Sequence, residues 1–181
     1  MKIFRLFAVG AAALAVASST AFAQGVDASR LGLARQNLVS ANPIGLLFEW
    51  YNGEYEHAFN STTSVAVAAS SFGDFGGWDD ARYSLVDVIG RYYPAGRALR
   101  GFSIGASAGL VNFDENIPSD CFECDDDSGT FATIGVRGDY VWILGRDQRF
   151  AVASGIGARR ILGGGDLEGV PIIRLSIGYA W

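Results

Sequence analysis

Lysine and histidine are nearly missing from this chain: Lys2 is the only lysine and His57 the only histidine among 181 residues. Past residue 23 no apolar run is long enough for a membrane helix, which needs about 20 consecutive residues. Each absence removes a class of function. With one lysine and an excess of acid, no face is suited to neutralising phosphates, the basis of nucleic-acid binding. With one histidine, any site built on imidazole has a single candidate. What remains is an apolar chain, of mean hydropathy +0.22, with no helix to place in a membrane.

The first 23 residues read as a cleaved signal peptide. Lys2 and Arg5 give the positive start, "LFAVGAAALAVA" the apolar stretch, and Ala21-Phe22-Ala23 the small-x-small cleavage site before Gln24. No cysteine follows the cut, so a lipoprotein anchor is not indicated. The chain is expected to be exported, with 24–35 a short periplasmic segment and 36–181 the folded domain. Of 181 residues, removing 23 leaves 158, enough for one domain with a real core. Losing Lys2 and Arg5 leaves twelve arginines against 19 carboxylates, a net charge of −7.

Hydrophobicity alternates with a period of two. From Ile173 the odd positions are Ile, Leu175, Ile177, Tyr179 and Trp181, and the even ones Arg174, Ser176, Gly178 and Ala180. Side chains alternate faces along a strand, so one face is apolar and the other small or polar. The division recurs: Phe102, Ile104 and Leu110 oppose Ser103, Gly105 and Gly109, and Ile134, Val136, Tyr140 and Trp142 oppose Thr133, Gly135, Arg137 and Asp139. Val65 and Val67 oppose Ser64 and Ala66, and Val86, Val88 and Tyr92 oppose Asp87 and Arg91.

Connections alternate too. "FNSTT" (59–63), "PAGRAL" (94–99) and "GRDQR" (145–149) are short turns, while 73–81, 114–129 and 163–169 are longer polar loops. Six strands follow residue 60: 63–73, 81–93, 99–113, 129–144, 149–162 and 169–181. A bacterial barrel with both ends periplasmic needs an even number, and 36–47 and 50–59 supply two more. The prediction is an all-β fold, an eight-stranded antiparallel up-and-down transmembrane barrel of the outer-membrane type.

The faces also decide which side meets lipid. Large side chains crowd one face, whereas Gly, Ala and Ser share the other with charges. The interior of an eight-stranded barrel is just wide enough for side chains to fill, so the small-and-charged face is placed inside. There Arg91, Arg137, Arg159 and Arg174 balance Glu54, Glu56, Asp87 and Asp139. Pairing is what buried charges require, and a salt-bridge network is the expectation for these eight. A lipocalin would put them in its ligand cavity, a poor pocket for an apolar ligand.

The segments "NPIGLLF" (42–48), "EYE" (54–56), "RYYP" (91–94) and "YAW" (179–181) carry a resemblance. The chain resembles the small outer-membrane β-barrel proteins of Gram-negative bacteria, of the OmpX/OmpA-barrel type, and among them uncharacterised barrels with this opening and a terminal aromatic. The resemblance covers essentially the whole mature chain and implies residence in the bacterial outer membrane. It also implies that Tyr179 and Trp181 form part of a C-terminal signal read by the outer-membrane assembly machinery. That signal usually ends in Phe, and Trp181 departs from it.

One loop looks like a site. In "SDCFECDDDSG" (119–129), Cys121 and Cys124 lie in an oxidising setting, where pairing is the default reading. Asp120, Glu123, Asp125, Asp126 and Asp127 offer oxygen ligands for Ca²⁺ or Mg²⁺ as a second reading. A redox-active pair is a third, although no helix N-terminus is visible to lower a thiol pKa. Twelve of the 19 acids fall in the three long loops, either as a solvated surface or sharing divalent cations with lipopolysaccharide phosphates. "GGGD" (163–166) lacks the following lysine and helix of a phosphate loop.

The functional expectation is a filled, non-enzymatic monomer with no cofactor, in a structural or surface-interaction role, partnered by outer-membrane lipid and lipopolysaccharide. The alternatives are a narrow low-conductance pore and an outer-leaflet lipid deacylase or acyltransferase. Such an enzyme needs His with Ser and an acid at the outer end. His57 lies two residues before a short turn, and its parity with Tyr55 and Phe59 points it outward.

Overall fold

The computed structural model describes residues 35–48, 50–72, 81–115, 129–162 and 169–181. The eight strands are β1 (Asn37–Ala41), β2 (Trp50–Ala58), β3 (Thr63–Phe72), β4 (Ala81–Tyr92), β5 (Gly101–Glu115), β6 (Gly129–Leu144), β7 (Phe150–Leu162) and β8 (Val170–Ala180). Each pairs antiparallel with the next, and β1 pairs with β8, with Leu38 opposite Ala180 and Ala41 opposite Ile177. Closure pairs the first strand with the last, which is how a sheet satisfies its backbone where water is absent, although β1 reaches only as far as Ile177 along β8. No described helix is long and apolar enough to cross a membrane.

The first hairpin differs from the expected 36–47 strand, because β1 stops at Ala41. Asn42 is the cause. Its Oδ1 accepts from the backbone N–H groups of Ile44 and Gly45 at 3.0 and 3.1 Å, a local turn that competes with the ladder. Pro43 has no N–H to continue the ladder, and Gly45–Phe48 winds into a short 3₁₀ turn. At the far side β5 runs to Glu115, so Asp114 and Glu115 belong to a strand rather than to the loop expected from 114.

Period-two alternation separates outside from inside around the whole barrel. Val86, Val88, Leu110, Ile134, Val136, Ile156 and Ile173 project outward and are exposed. Phe59, Tyr92, Phe102, Tyr140, Trp142, Phe150, Tyr179 and Trp181, also exposed, gather at the end carrying the short turns. An aliphatic belt bounded by aromatics is the exterior of a barrel made for lipid.

Inside, the short-turn end is closed by apolar packing of Leu38, Ala58, Leu99, Val141 and Ala180. Leu99 lies just before β5 rather than in it, at φ +64°, and its side chain is only 2% exposed. A left-handed leucine is uncommon and costs about 1–3 kcal/mol, so packing must outweigh it. The 93–100 turn is stitched to the 59–62 turn by Tyr93 N–H to Thr62 O (2.7 Å) and Ala98 N–H to Ser61 O (2.8 Å).

Glycines make room for the interior side chains. A Cβ on Gly157 would meet the Val136 carbonyl and lie 2.8 Å from Arg137 Cβ, whereas one on Gly90, which faces outward, would meet nothing within 4 Å. Gly157→Ala is expected to lower the unfolding free energy of the refolded protein by about 1–3 kcal/mol. Gly90→Ala should leave it unchanged or raise it by up to about 1 kcal/mol. The unboiled gel band scored against urea measures both, and equal effects would refute the crowding at Gly157.

Candidate functional site: the interior charge cluster

The eight charges expected inside are distributed over five strands. Glu54 and Glu56 lie on β2, Asp87 and Arg91 on β4, and Arg137 and Asp139 on β6, with Arg159 on β7 and Arg174 on β8. The neighbours across the ladder are small: Gly105 beside Arg91, Gly105 and Gly157 beside Arg137, and Gly155 beside both Asp139 and Arg174. Long charged side chains can therefore lie across the lumen.

Six of the eight form one cluster. The Arg91 guanidinium spreads over three carboxylates: Nη2 to Glu54 Oε2 (2.9 Å), Nη1 to Glu56 Oε2 (2.7 Å) and Nε to Asp139 Oδ2 (3.2 Å). Arg137 Nη2 donates to Asp139 Oδ1 at 2.9 Å, and Arg174 Nη2 donates to Glu54 Oε1 at 2.5 Å. Three guanidinium groups meet three carboxylates, so the cluster is neutral. Asp87 and Arg159 pair separately, with Thr133 Oγ1 donating to Asp87 Oδ1 at 3.4 Å.

Glu56 illustrates how a fully buried carboxylate is held. Its Oε2 accepts from Arg91, while Oε1 accepts from Ser64 Oγ at 2.5 Å and from Tyr93 Oη at 2.6 Å. Both oxygens are satisfied, as a charge at 0% exposure requires. Neither Ser64 nor Tyr93 was singled out from sequence. Ser64 lies on the small face, but Tyr93 follows the end of β4, where strand parity no longer reports direction.

A second inward-facing group is aromatic. At the long-loop end Trp50, Phe72, Tyr83, Phe113 and Phe131 continue the inward-facing positions. Tyr83 stacks on Phe72 at 6.0 Å, Phe113 tilts against Phe131 at 6.2 Å, and Trp50 Nε1 donates to Ser70 Oγ at 2.9 Å. Tyr83, Phe113 and Phe131 pack against buried Leu85, Val111 and Ile161. Extending the parity of Asp87, Gly109 and Thr133 to the strand ends would have found Tyr83, Phe113 and Phe131.

The remaining candidates separate by place. His57 is on the outer face near the short turns, where its Nδ1 shares Asn37 Oδ1 (2.9 Å) with the Tyr55 hydroxyl (2.8 Å). Tyr179 and Trp181 lie on the same outer face, ring centroids 6.1 Å apart, and Arg149 Nη1 donates to the Tyr179 hydroxyl at 2.7 Å. The loop carrying Cys121, Cys124, Asp120, Glu123, Asp125, Asp126 and Asp127 lies outside the described residues, as does the expected signal peptide.

No protein-family model matches the chain, and no curated protein matches it. Among solved structures it is similar to the N-terminal β-barrel domain of Pseudomonas aeruginosa OprF, with a TM-score of 0.50 and 17% identity. The match spans 81% of this chain and 98% of that one. The fold is an outer-membrane-type barrel. At that identity the likeness speaks for the fold alone.

The cluster gives a graded expectation. Arg91→Met leaves Glu54, Glu56 and Asp139 short of their shared cation and should cost about 3–5 kcal/mol. Tyr93→Phe removes a single donor to Glu56 and should cost about 1–3 kcal/mol. Urea midpoints in one detergent measure both, and equal midpoints for the two variants would show that Arg91 does not hold the cluster.

Proposed function

We propose that this chain resides in the outer membrane of a Gram-negative bacterium as a closed, monomeric barrel that anchors acidic surface loops and conducts no general flow of solutes. The observation that carries this reading is the contrast between the two faces: an aliphatic and aromatic exterior, and an interior filled by paired charges above an apolar plug. In the outer-membrane layout, short turns face the periplasm and long loops the exterior. The loops between β3 and β4, β5 and β6, and β7 and β8, with ten of the 19 acids, then meet the lipopolysaccharide headgroups. Shared divalent cations are the chemistry that would join carboxylates to those phosphates.

The resemblance carried by "NPIGLLF" and "RYYP" supports a place among the small barrels of the OmpX/OmpA type, with Tyr179 and Trp181 read by the assembly machinery. A lipid-modifying enzyme fits less well. His57 bonds Asn37 rather than a serine and an acid, on the outer surface at the end assigned to the periplasm.

The refolded protein is expected to run faster unboiled than boiled on a denaturing gel and to give no steady conductance steps in planar bilayers. On whole cells, protease should cut within 116–128 and leave the strands intact. A helical circular dichroism spectrum, full solubility without detergent, or a stable open conductance would each overturn the reading. His57→Ala should leave lipid A from expressing cells unchanged by mass spectrometry, and a wild-type lipid A modification lost in that variant would reinstate the enzyme.

A further inference from the structure

The β1–β8 seam runs out part-way up the wall. Asn37 N–H donates to Trp181 O at 2.9 Å and Trp181 N–H to Asn37 O at 3.0 Å. In an antiparallel ladder such mutual pairs recur every second residue, so the odd positions of β8 turn their N–H and C=O groups towards β1. Ala180, an even position, donates to Arg149 O on the opposite side at 2.8 Å. Val39 opposite Tyr179 and Ala41 opposite Ile177 continue the series, and there it stops. The next odd positions of β8 are Leu175, Ile173 and Pro171. Their edge-facing backbone groups have no hydrogen-bond partner among the described residues.

Two prolines and a turn keep this gap open. Continuing the register would set Pro43 opposite Leu175, and Pro43 has no N–H for the Leu175 carbonyl. The chain turns away instead, and Gly45–Phe48 folds back on β2, where a Cβ on Gly45 would lie 2.5 Å from the Trp50 carbonyl oxygen. On β8, Pro171 takes an edge-facing position, the place in a sheet that tolerates proline. The next strand round is β2, so the gap spans two strand spacings, roughly 10 Å, which is room for one strand. The barrel interior opens onto it. A cavity of about 280 Å³ is lined by every residue from Val170 to Ser176, whereas β4, β5 and β7 give it only alternate, inward-facing residues.

The gap lies at the depth of lipid. Ile173 stands opposite Ile156 across the β7–β8 ladder, and both are exposed in the aliphatic belt. Unpaired backbone groups are costly there, and an open sheet edge is a template for another strand. An acyl chain would cover the gap but brings neither donor nor acceptor. We propose that the gap is a strand-addition site, which takes the extended end of a partner polypeptide and pairs it with β8 at Ile173 and Leu175. The added strand continues the β1–β8 interface upward. Its outward side chains are apolar and join Ile173 and Leu175 against lipid, and its inward ones are small and enter the cavity. A hairpin needs the width of two strands, so the occupant is a chain end. The site goes beyond the anchoring role proposed above and shares with it only the placement of the barrel in a membrane.

The test uses the full chain refolded in phosphatidylcholine nanodiscs and titrated with acetyl-Val-Thr-Val-Thr-Val-amide, against the same peptide methylated at every backbone nitrogen. Methylation removes the donors and keeps the side chains. The parent peptide should bind saturably and slow hydrogen exchange at the Ile173 and Leu175 amides at least about tenfold. The methylated peptide should bind at least about tenfold more weakly. Ile173→Pro deletes an edge-facing N–H without touching the β7 ladder and should weaken the parent peptide at least about tenfold. If that variant loses the fast unboiled gel band, the peptide pair and the exchange rates decide alone. Equal affinity for the two peptides, no saturation, wild-type affinity in folded Ile173→Pro, or slow exchange at both amides before any peptide is added would each overturn the proposal. The wild-type gel band and planar-bilayer behaviour do not depend on these outcomes, so failure here leaves the anchoring role standing.

Discussion

Arg91 gives each nitrogen of its guanidinium to a different carboxylate, two on β2 and one on β6, and the interior is arranged around that sharing. A lumen bounded by lipid-facing walls is a poor solvent for charge, so a buried ion persists only when its partners are close and correctly aimed. Arg91 thereby links the short first hairpin to the far wall. Arg137 and Arg174 close the set to neutrality, and Ser64 and Tyr93 complete Glu56. The small residues of the inner face follow from the same need, since crossing side chains require room on the strands they pass.

Exterior and interior thus solve one problem in opposite ways. Outside, apolar side chains meet a solvent as apolar as themselves and need no specific partner. Inside, every polar group needs a named one, and the apolar plug with left-handed Leu99 keeps the short-turn end dry. A barrel filled in this way is rigid where it is charged.

Most of the architecture is legible in sequence because one rule, alternation with period two, operates along nearly every strand. Arg137 and Asp139 stand in register with Thr133 and Gly135, and Arg174 with Ser176 and Gly178, which assigns them to one face before any coordinates exist. Asp87 and Arg91 share theirs with Leu85 and Ile89 and are placed by the outward Val86, Val88 and Tyr92. The rule fails where the chain leaves the ladder. Asn42 draws the backbone into a local turn, so β1 is shorter than its apolar run suggests. Tyr93 and Leu99 enter the lumen from a turn whose dihedrals no alternation reports. Pairing is harder still to read: that Arg91 serves Glu54, Glu56 and Asp139 depends on the stagger of strands around the closed wall, a property of the whole ring. The inner aromatics at the rim obey the rule but resemble lipid-facing residues in type, which conceals them.

The brevity of β1 also bears on how the wall is made. The cylinder is sealed by a strand of five residues set against β8 with eleven, while β5 and β6 run to fifteen and sixteen. Zipping between long neighbours has many rungs to cooperate, but the final seam has few. Any opening of the wall therefore starts most easily along the β1–β8 line. The Asn42 turn that shortens β1 thus sets the weakest stave of the cask.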